Sequence, residues 1–218
     1  PFGIPLMCSR VAAIFFGIFG GSILPFIAII GRKIGATEFQ ISLLTAAPYI
    51  ATTFAIFWTE DILGKGRVWY VVWPNVVGRA ILICMFFVVS PFAYTLIILI
   101  YMIVTAIPFP SYASVMKTNY PDKERGRLMG YVRVGSACFW IVASIITGWI
   151  LENDTYNYRY IFPIAALFGI LSALEFGRIK VRLEKKKKQR LEALSHLTAP
   201  LKNKPFLKFL IISSLPFF

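Results

Sequence analysis

Crossing a bilayer takes about 20 consecutive apolar residues, because backbone groups in hydrocarbon find partners only within a helix or a closed barrel. Residues 11–30 hold no charged side chain, and neither do residues 39–58. Further apolar runs follow at 68–89, 92–116, 128–151 and 160–177. Apart from the tight break at Ser90-Pro91, the stretches between these runs are short and charged, so each must lie in water at a membrane face. The pattern predicts an all-α integral membrane protein, a six-helix transmembrane bundle with the start of a seventh helix. Its expected divisions are a bundle over 1–177, a basic linker over 178–204, and the opening of helix 7 over 205–218. The chain begins at Pro1 and stops within an apolar run, so it is expected to be a piece of a longer protein.

Composition narrows the class. The 218 residues are 58% hydrophobic and only 15% charged, whereas a soluble domain is about a quarter charged. A net charge of +13 would suit nucleic acid, but the cations gather in short loops between apolar runs. Nucleic acid is therefore not an expected partner. Cys8, Cys84 and Cys138 lie in or beside apolar runs with no C-x-x-C spacing. They read as packing residues, and neither a metal site nor a cofactor is expected. His196 stands alone in the charged linker.

The densest charge is the stretch Asn119-Tyr120-Pro121-Asp122-Lys123-Glu124-Arg125-Gly126-Arg127. Pro121 suits a first helical turn, and the acids after it suit the positive end of a helix. Arg10, Lys65, Arg67, Lys117, Lys123, Arg125, Arg127 and the linker cations fall on one side of the membrane. Arg32, Lys33 and Arg159 fall on the other. The positive-inside rule makes the first side cytoplasmic, with the N-terminus inside, in the plasma membrane. An even number of spans returns the linker to that side, in agreement with its Lys185-Lys186-Lys187-Lys188 run. The linker is expected either to rest on the anionic inner leaflet or to be a solvated connector.

Arg79 is the most informative single residue. It lies about 11 residues into the third run, roughly 16 Å along a helix, near the bilayer centre. Arginine there costs ~2.5–3.5 kcal/mol on insertion scales, so it needs water, an anion or polar partners. One reading satisfies it with Asn75, one turn earlier, and with backbone freed by Pro74. The other makes it a binding group for an anionic solute. Hydroxyls and aromatic rings recur at helical spacing elsewhere. They are Thr45, Tyr49 and Thr52 in the second run; Tyr101, Thr105, Pro108 and Tyr112 in the fourth; Ser136, Trp140, Ser144 and Thr147 in the fifth. Such groups suit a small polar solute, and they also serve as glue between helices. Candidates for a solute path are Tyr49, Thr52, Asn75, Arg79, Tyr101, Thr105, Trp140 and Ser144. Gly17 and Gly21 form a G-x-x-x-G pair, and Ala165, Gly169, Ala173 and Gly177 form a small-residue stripe; both patterns mark close helix contacts. Glu175 is expected to pair with Arg178.

Several stretches resemble the major facilitator superfamily of secondary transporters. Ile34-Gly35-Ala36-Thr37 with Gln40-Ile41-Ser42-Leu43-Leu44 looks like that family's first outer loop and entry to helix 2. Gly64-Lys65-Gly66-Arg67 stands where the family carries its loop signature between helices 2 and 3, although Thr59, Leu63 and Val68 depart from it. Tyr120-Pro121 with Arg125-Gly126-Arg127 and Gly130 is similar to the loop between helices 4 and 5. Asn203-Lys204-Pro205-Phe206 resembles the entry into helix 7.

The resemblance implies two six-helix halves rocking about a central site, with helices 1, 2, 4 and 5 facing the path and helices 3 and 6 outside. The expected function is a secondary active or facilitative transporter moving a small solute by alternating access, with a C-terminal six-helix half as its missing partner. By the same resemblance Glu60, Asp61, Gly66, Arg67, Arg125, Arg127 and Arg133 are gate or latch candidates at the cytoplasmic rim. Helix 4 lacks the arginine motif of proton-coupled exporters, and helix 5 lacks the proline-glycine motif of many antiporters. No Asp or Glu stands mid-span, so any proton-coupling group is expected in the missing half. A non-transporting scaffold or receptor on the same bundle is the alternative reading. An enzyme would need paired carboxylates, a histidine cluster or a Ser/His set, which the sequence does not offer.

Overall fold

The computed structural model describes residues 3–63, 69–109 and 122–178. Its described side chains are those of residues 10–54, 71–109, 126–127 and 129–178. The apolar runs form helices, and among the described residues there is no strand. The helices are α1 (Gly3–Ile23), α2 (Ile27–Lys33), α3 (Glu38–Leu63), α4 (Trp69–Ile81), α5 (Pro91–Ala106), α6 (Asp122–Asn153) and α7 (Tyr158–Gly177). Three stretches, Arg10–Lys33, Met129–Asn153 and Thr155–Gly177, are long and apolar enough to cross a membrane, and Val71–Phe87 and Pro91–Ala106 are shorter apolar helices.

Local chemistry explains where the helices bend and start. Pro25 lacks an N–H, so the carbonyl of Gly21 loses its usual partner four residues on. The chain answers with a 3-10 turn at Leu24–Phe26, which joins α1 to α2 in a single span. A second 3-10 segment, Leu82–Phe87, completes the third span after α4. Gly35 sits at φ +89°, which glycine adopts without steric cost, and it turns the chain between α2 and α3. At the entry to α3 the Gln40 N–H donates to Thr37 Oγ1 at 3.3 Å, while the Thr37 N–H donates to Gln40 Oε1 at 3.0 Å. This reciprocal capping box satisfies donors that the first helical turn leaves free. The T-E-F-Q stretch spells that box.

Several helices extend beyond their apolar runs, and α1 begins as early as Gly3. α3 continues to Leu63, so Glu60 and Asp61 lie in its last turns rather than in a loop. α6 begins at Asp122, which places the acidic part of the charged island in its first turn, where the helix dipole favours it.

In the bundle, α1 packs on both α6 and α7, α7 packs on α4, α4 on α5, and α5 on α3. The buried interior includes Phe19, Ile23, Leu82, Tyr94, Ile98, Tyr158 and Phe162. Tyr94 and Tyr158 meet edge to face, their centroids 5.5 Å apart. Both hydroxyls donate to backbone: Tyr94 to the Ile27 carbonyl at 3.0 Å and Tyr158 to the Val88 carbonyl at 2.6 Å. Ser172 on α7 likewise donates to the Ala12 carbonyl on α1 at 2.8 Å.

Close approach is greatest between α1 and α6. A Cβ on Gly17 would overlap the Ser136 carbonyl, and one on Gly21 would overlap the backbone of Trp140. The G-x-x-x-G pair therefore serves the α1–α6 contact.

Candidate functional site: a buried arginine among four spans

α4 ends two residues after Arg79, and the arginine side chain runs into the bundle rather than out to lipid. It is 6% exposed. Its Nη1 donates to the carbonyl of Gly169 on α7. The glycine is needed there, because a Cβ at residue 169 would lie 2.8 Å from Arg79 Cδ and equally near the Phe19 ring. From α1, Phe19 and Phe16 hold their rings 5.0 Å and 5.7 Å from the guanidinium carbon. These are cation–π distances, and such contacts strengthen when desolvated. From α5, Tyr101 meets the Phe19 ring edge-on at 6.2 Å and is itself 4% exposed. Spans 1, 3, 4 and 6 thus converge on one cation.

Trp140 extends the cluster to α6. Its ring lies over Gly20, where a Cβ would overlap it, and it faces Phe16 at 6.3 Å. Phe16 therefore touches both Arg79 and Trp140. Three of the sequence candidates, Arg79, Tyr101 and Trp140, are joined through Phe16 and Phe19, which the sequence reading had not singled out. Their spacing of three on one apolar helix was the available signal, but a phenylalanine in a span is ordinary until its partner is known.

The other candidates do different work. Asn75 does not reach Arg79, because its Nδ2 donates to the Val71 carbonyl of its own helix at 2.8 Å. The expected Asn75–Arg79 pairing is thus replaced by the bond to Gly169. Thr105 Oγ1 donates to the Tyr101 carbonyl at 2.8 Å, and its methyl fills the gap left by Gly78. Ser144 Oγ donates to the Gly21 carbonyl at 3.0 Å, supplying the bond that Pro25 withholds. Tyr49 is 74% exposed on α3, and Thr52 donates to its carbonyl at 2.8 Å, so these two stand apart from the cluster.

At the charged rim, Arg127 Nε donates to the Tyr131 hydroxyl at 3.4 Å, and Arg133 is exposed. The side chains of Glu60, Asp61 and Arg125 lie outside the described residues, as do Gly66 and Arg67, Tyr112, and the linker and helix-7 start. Glu175 and Arg178 form the expected local ion pair at 2.9 Å.

Apolar helices that enclose one buried cation among the described residues, with charge concentrated in most of the loops, define a multi-pass membrane protein. The family model of the Major Facilitator Superfamily matches residues 11–218, and the chain belongs to that superfamily. It is accordingly a membrane transporter. No curated protein sequence matches the chain.

Proposed function

We propose that this chain is the N-terminal six-helix half of a secondary active or facilitative carrier, which moves a small solute by alternating access in the plasma membrane. The observation that carries the reading is the family match over residues 11–218 on a bundle whose edge helices keep open faces. α6 packs chiefly on α1, and α3 chiefly on α5 and α2. The remaining faces, with Tyr49 and Thr52 on α3 and Tyr131 on α6, are left for lipid and for a second bundle. The solute path runs beside Tyr101, Thr105, Trp140 and Ser144, with Asn75 and Arg79 behind. Glu60, Asp61, Gly66, Arg67, Arg125, Arg127 and Arg133 form a cytoplasmic latch against the other half. The asymmetry of Lys and Arg supports a cytoplasmic N-terminus, and the basic linker rests on the anionic inner leaflet.

The test is solute flux in proteoliposomes containing the protein from its whole reading frame. Counterflow of a solute that Arg127→Ala slows, at unchanged insertion, supports the carrier. No movement of any solute in a broad panel overturns it in favour of a scaffold or receptor.

A further inference from the structure

We propose that the free edge of Arg79 is a binding site for an oxyanion, and that the transported solute carries a carboxylate. The inference rests on the carrier reading above and deepens it by naming a solute class.

A guanidinium carries five N–H donors and accepts nothing. The bond from Nη1 to the Gly169 carbonyl uses one of them. Nε is buried and has no hydrogen-bond partner among the described residues. The side of the guanidinium formed by Nε and Nη2 is the fork that matches a planar carboxylate with two parallel bonds. A buried charged donor left unpaired is costly. Aromatic faces reduce that cost but supply no acceptor. Nor does the half bundle supply an acid: no Asp or Glu stands mid-span, and among the described residues Arg79 forms no ion pair.

The surroundings favour a small ligand over permanent closure. Phe16 lies against the guanidinium yet remains 38% exposed, so one of the rings on Arg79 reaches the surface of this half. Trp140 borders the same ring. In this proposal the Phe16 side chain is the movable cover of the fork. The stem of Arg79 packs against Gly169 and the Phe19 ring, and the Gly169 carbonyl holds Nη1. A preset fork behind a single movable ring distinguishes a carboxylate from a neutral or cationic solute by leaving its donors unpaired when the wrong solute enters.

The experiment measures the thermal midpoint of the whole carrier in lipid nanodiscs, with acetate, succinate, chloride or glucose added at matched ionic strength. Acetate or succinate is expected to raise the midpoint saturably, while chloride and glucose do not. Arg79→Lys keeps the charge and loses the fork, so it should need at least about tenfold more carboxylate. Arg79→Leu should fold and show no response. An unchanged response in Arg79→Leu, or none in the wild type, overturns the proposal. So does an Arg79→Leu protein that is destabilised while the wild type ignores carboxylates, because the fork is then filled by an acid of the protein itself. Should Arg79→Leu fail to fold, Phe16→Leu and Gly169→Ala keep the arginine. The first should sharpen the carboxylate response and the second weaken it, and an unchanged response in both overturns the site. Flux separates this inference from the reading beneath it. Transport of neutral or cationic solutes alone sinks the oxyanion site and leaves the carrier standing. Binding through Arg79 with no flux of any solute does the reverse.

Discussion

The α1–α6 seam and the α4–α7 seam solve the same problem by different means. Hydrocarbon offers no hydrophobic drive for helices to associate, so contact must come from packing and hydrogen bonds. At the first seam three glycines, Gly17, Gly20 and Gly21, remove side chains until backbone meets backbone and the Trp140 ring. Among the described residues its one cross-span hydrogen bond is neutral, from Ser144 to the Gly21 carbonyl. At the second seam a cation crosses, and Gly169 makes room for a flexible side chain instead of a backbone. The first seam is closed by backbone contact. The second holds a donor with no partner. The difference teaches that in one bundle a glycine can serve adhesion or can serve a charged group, and that its neighbour decides which.

The largest expected effect separates the two kinds of glycine. Gly21→Ala forces its new methyl into the Trp140 backbone, which cannot yield, and should cost about 3 kcal/mol in equilibrium unfolding from micelles. Gly169→Ala meets Arg79 Cδ and the Phe19 ring, both able to shift, and should cost about 1 kcal/mol. Equal costs would erase the contrast between the seams.

Arg79→Leu removes a buried charge rather than a packed group. Even a buried ion pair can be replaced by apolar side chains without loss, and Arg79 has no acid partner among the described residues to strand, so unfolding should show no loss of stability. A loss above about 3 kcal/mol would make the arginine a structural staple like the glycines of the other seam.

Smaller effects test the bonds to backbone carbonyls. Ser144→Ala strands the Gly21 carbonyl, which Pro25 has deprived of its helical partner, and should cost about 1 kcal/mol. Ser172→Ala leaves the Ala12 carbonyl its own helical bond and should cost about 0.6 kcal/mol. In a Pro25→Ala background the restored N–H can serve Gly21, so the Ser144→Ala penalty should shrink by about 0.5 kcal/mol or more in a double-mutant cycle. An unchanged penalty there would detach the serine from the proline.

Much of the architecture was legible because the bilayer enforces a simple rule on composition. Charge-free runs such as 11–30 and 39–58 had few structures open to them. The bend at Pro25, the helix start near Asp122 and the Glu175–Arg178 pair follow from interactions within a few residues, and the chain states them directly. Helix ends were less legible, since α3 carries Glu60 and Asp61 past its apolar run. A helix can emerge from hydrocarbon without ending. The candidate site was read in fragments. Arg79, Tyr101 and Trp140 were each visible as polar or aromatic residues at helical spacing. Phe16 and Phe19, which join them, look like any other apolar span residues.

The sequence by itself determined that this chain is a set of membrane helices with its cations gathered in loops, because transfer of charge into hydrocarbon is costly wherever the helix stands. Only the tertiary structure decided that Arg79 turns to Gly169 rather than to Asn75, and that Gly21 faces a backbone while Gly169 faces a side chain. Those choices depend on which helices become neighbours. Pairing between spans as far apart as residues 79 and 169 is a property of the packed bundle, and local spacing carries no record of it.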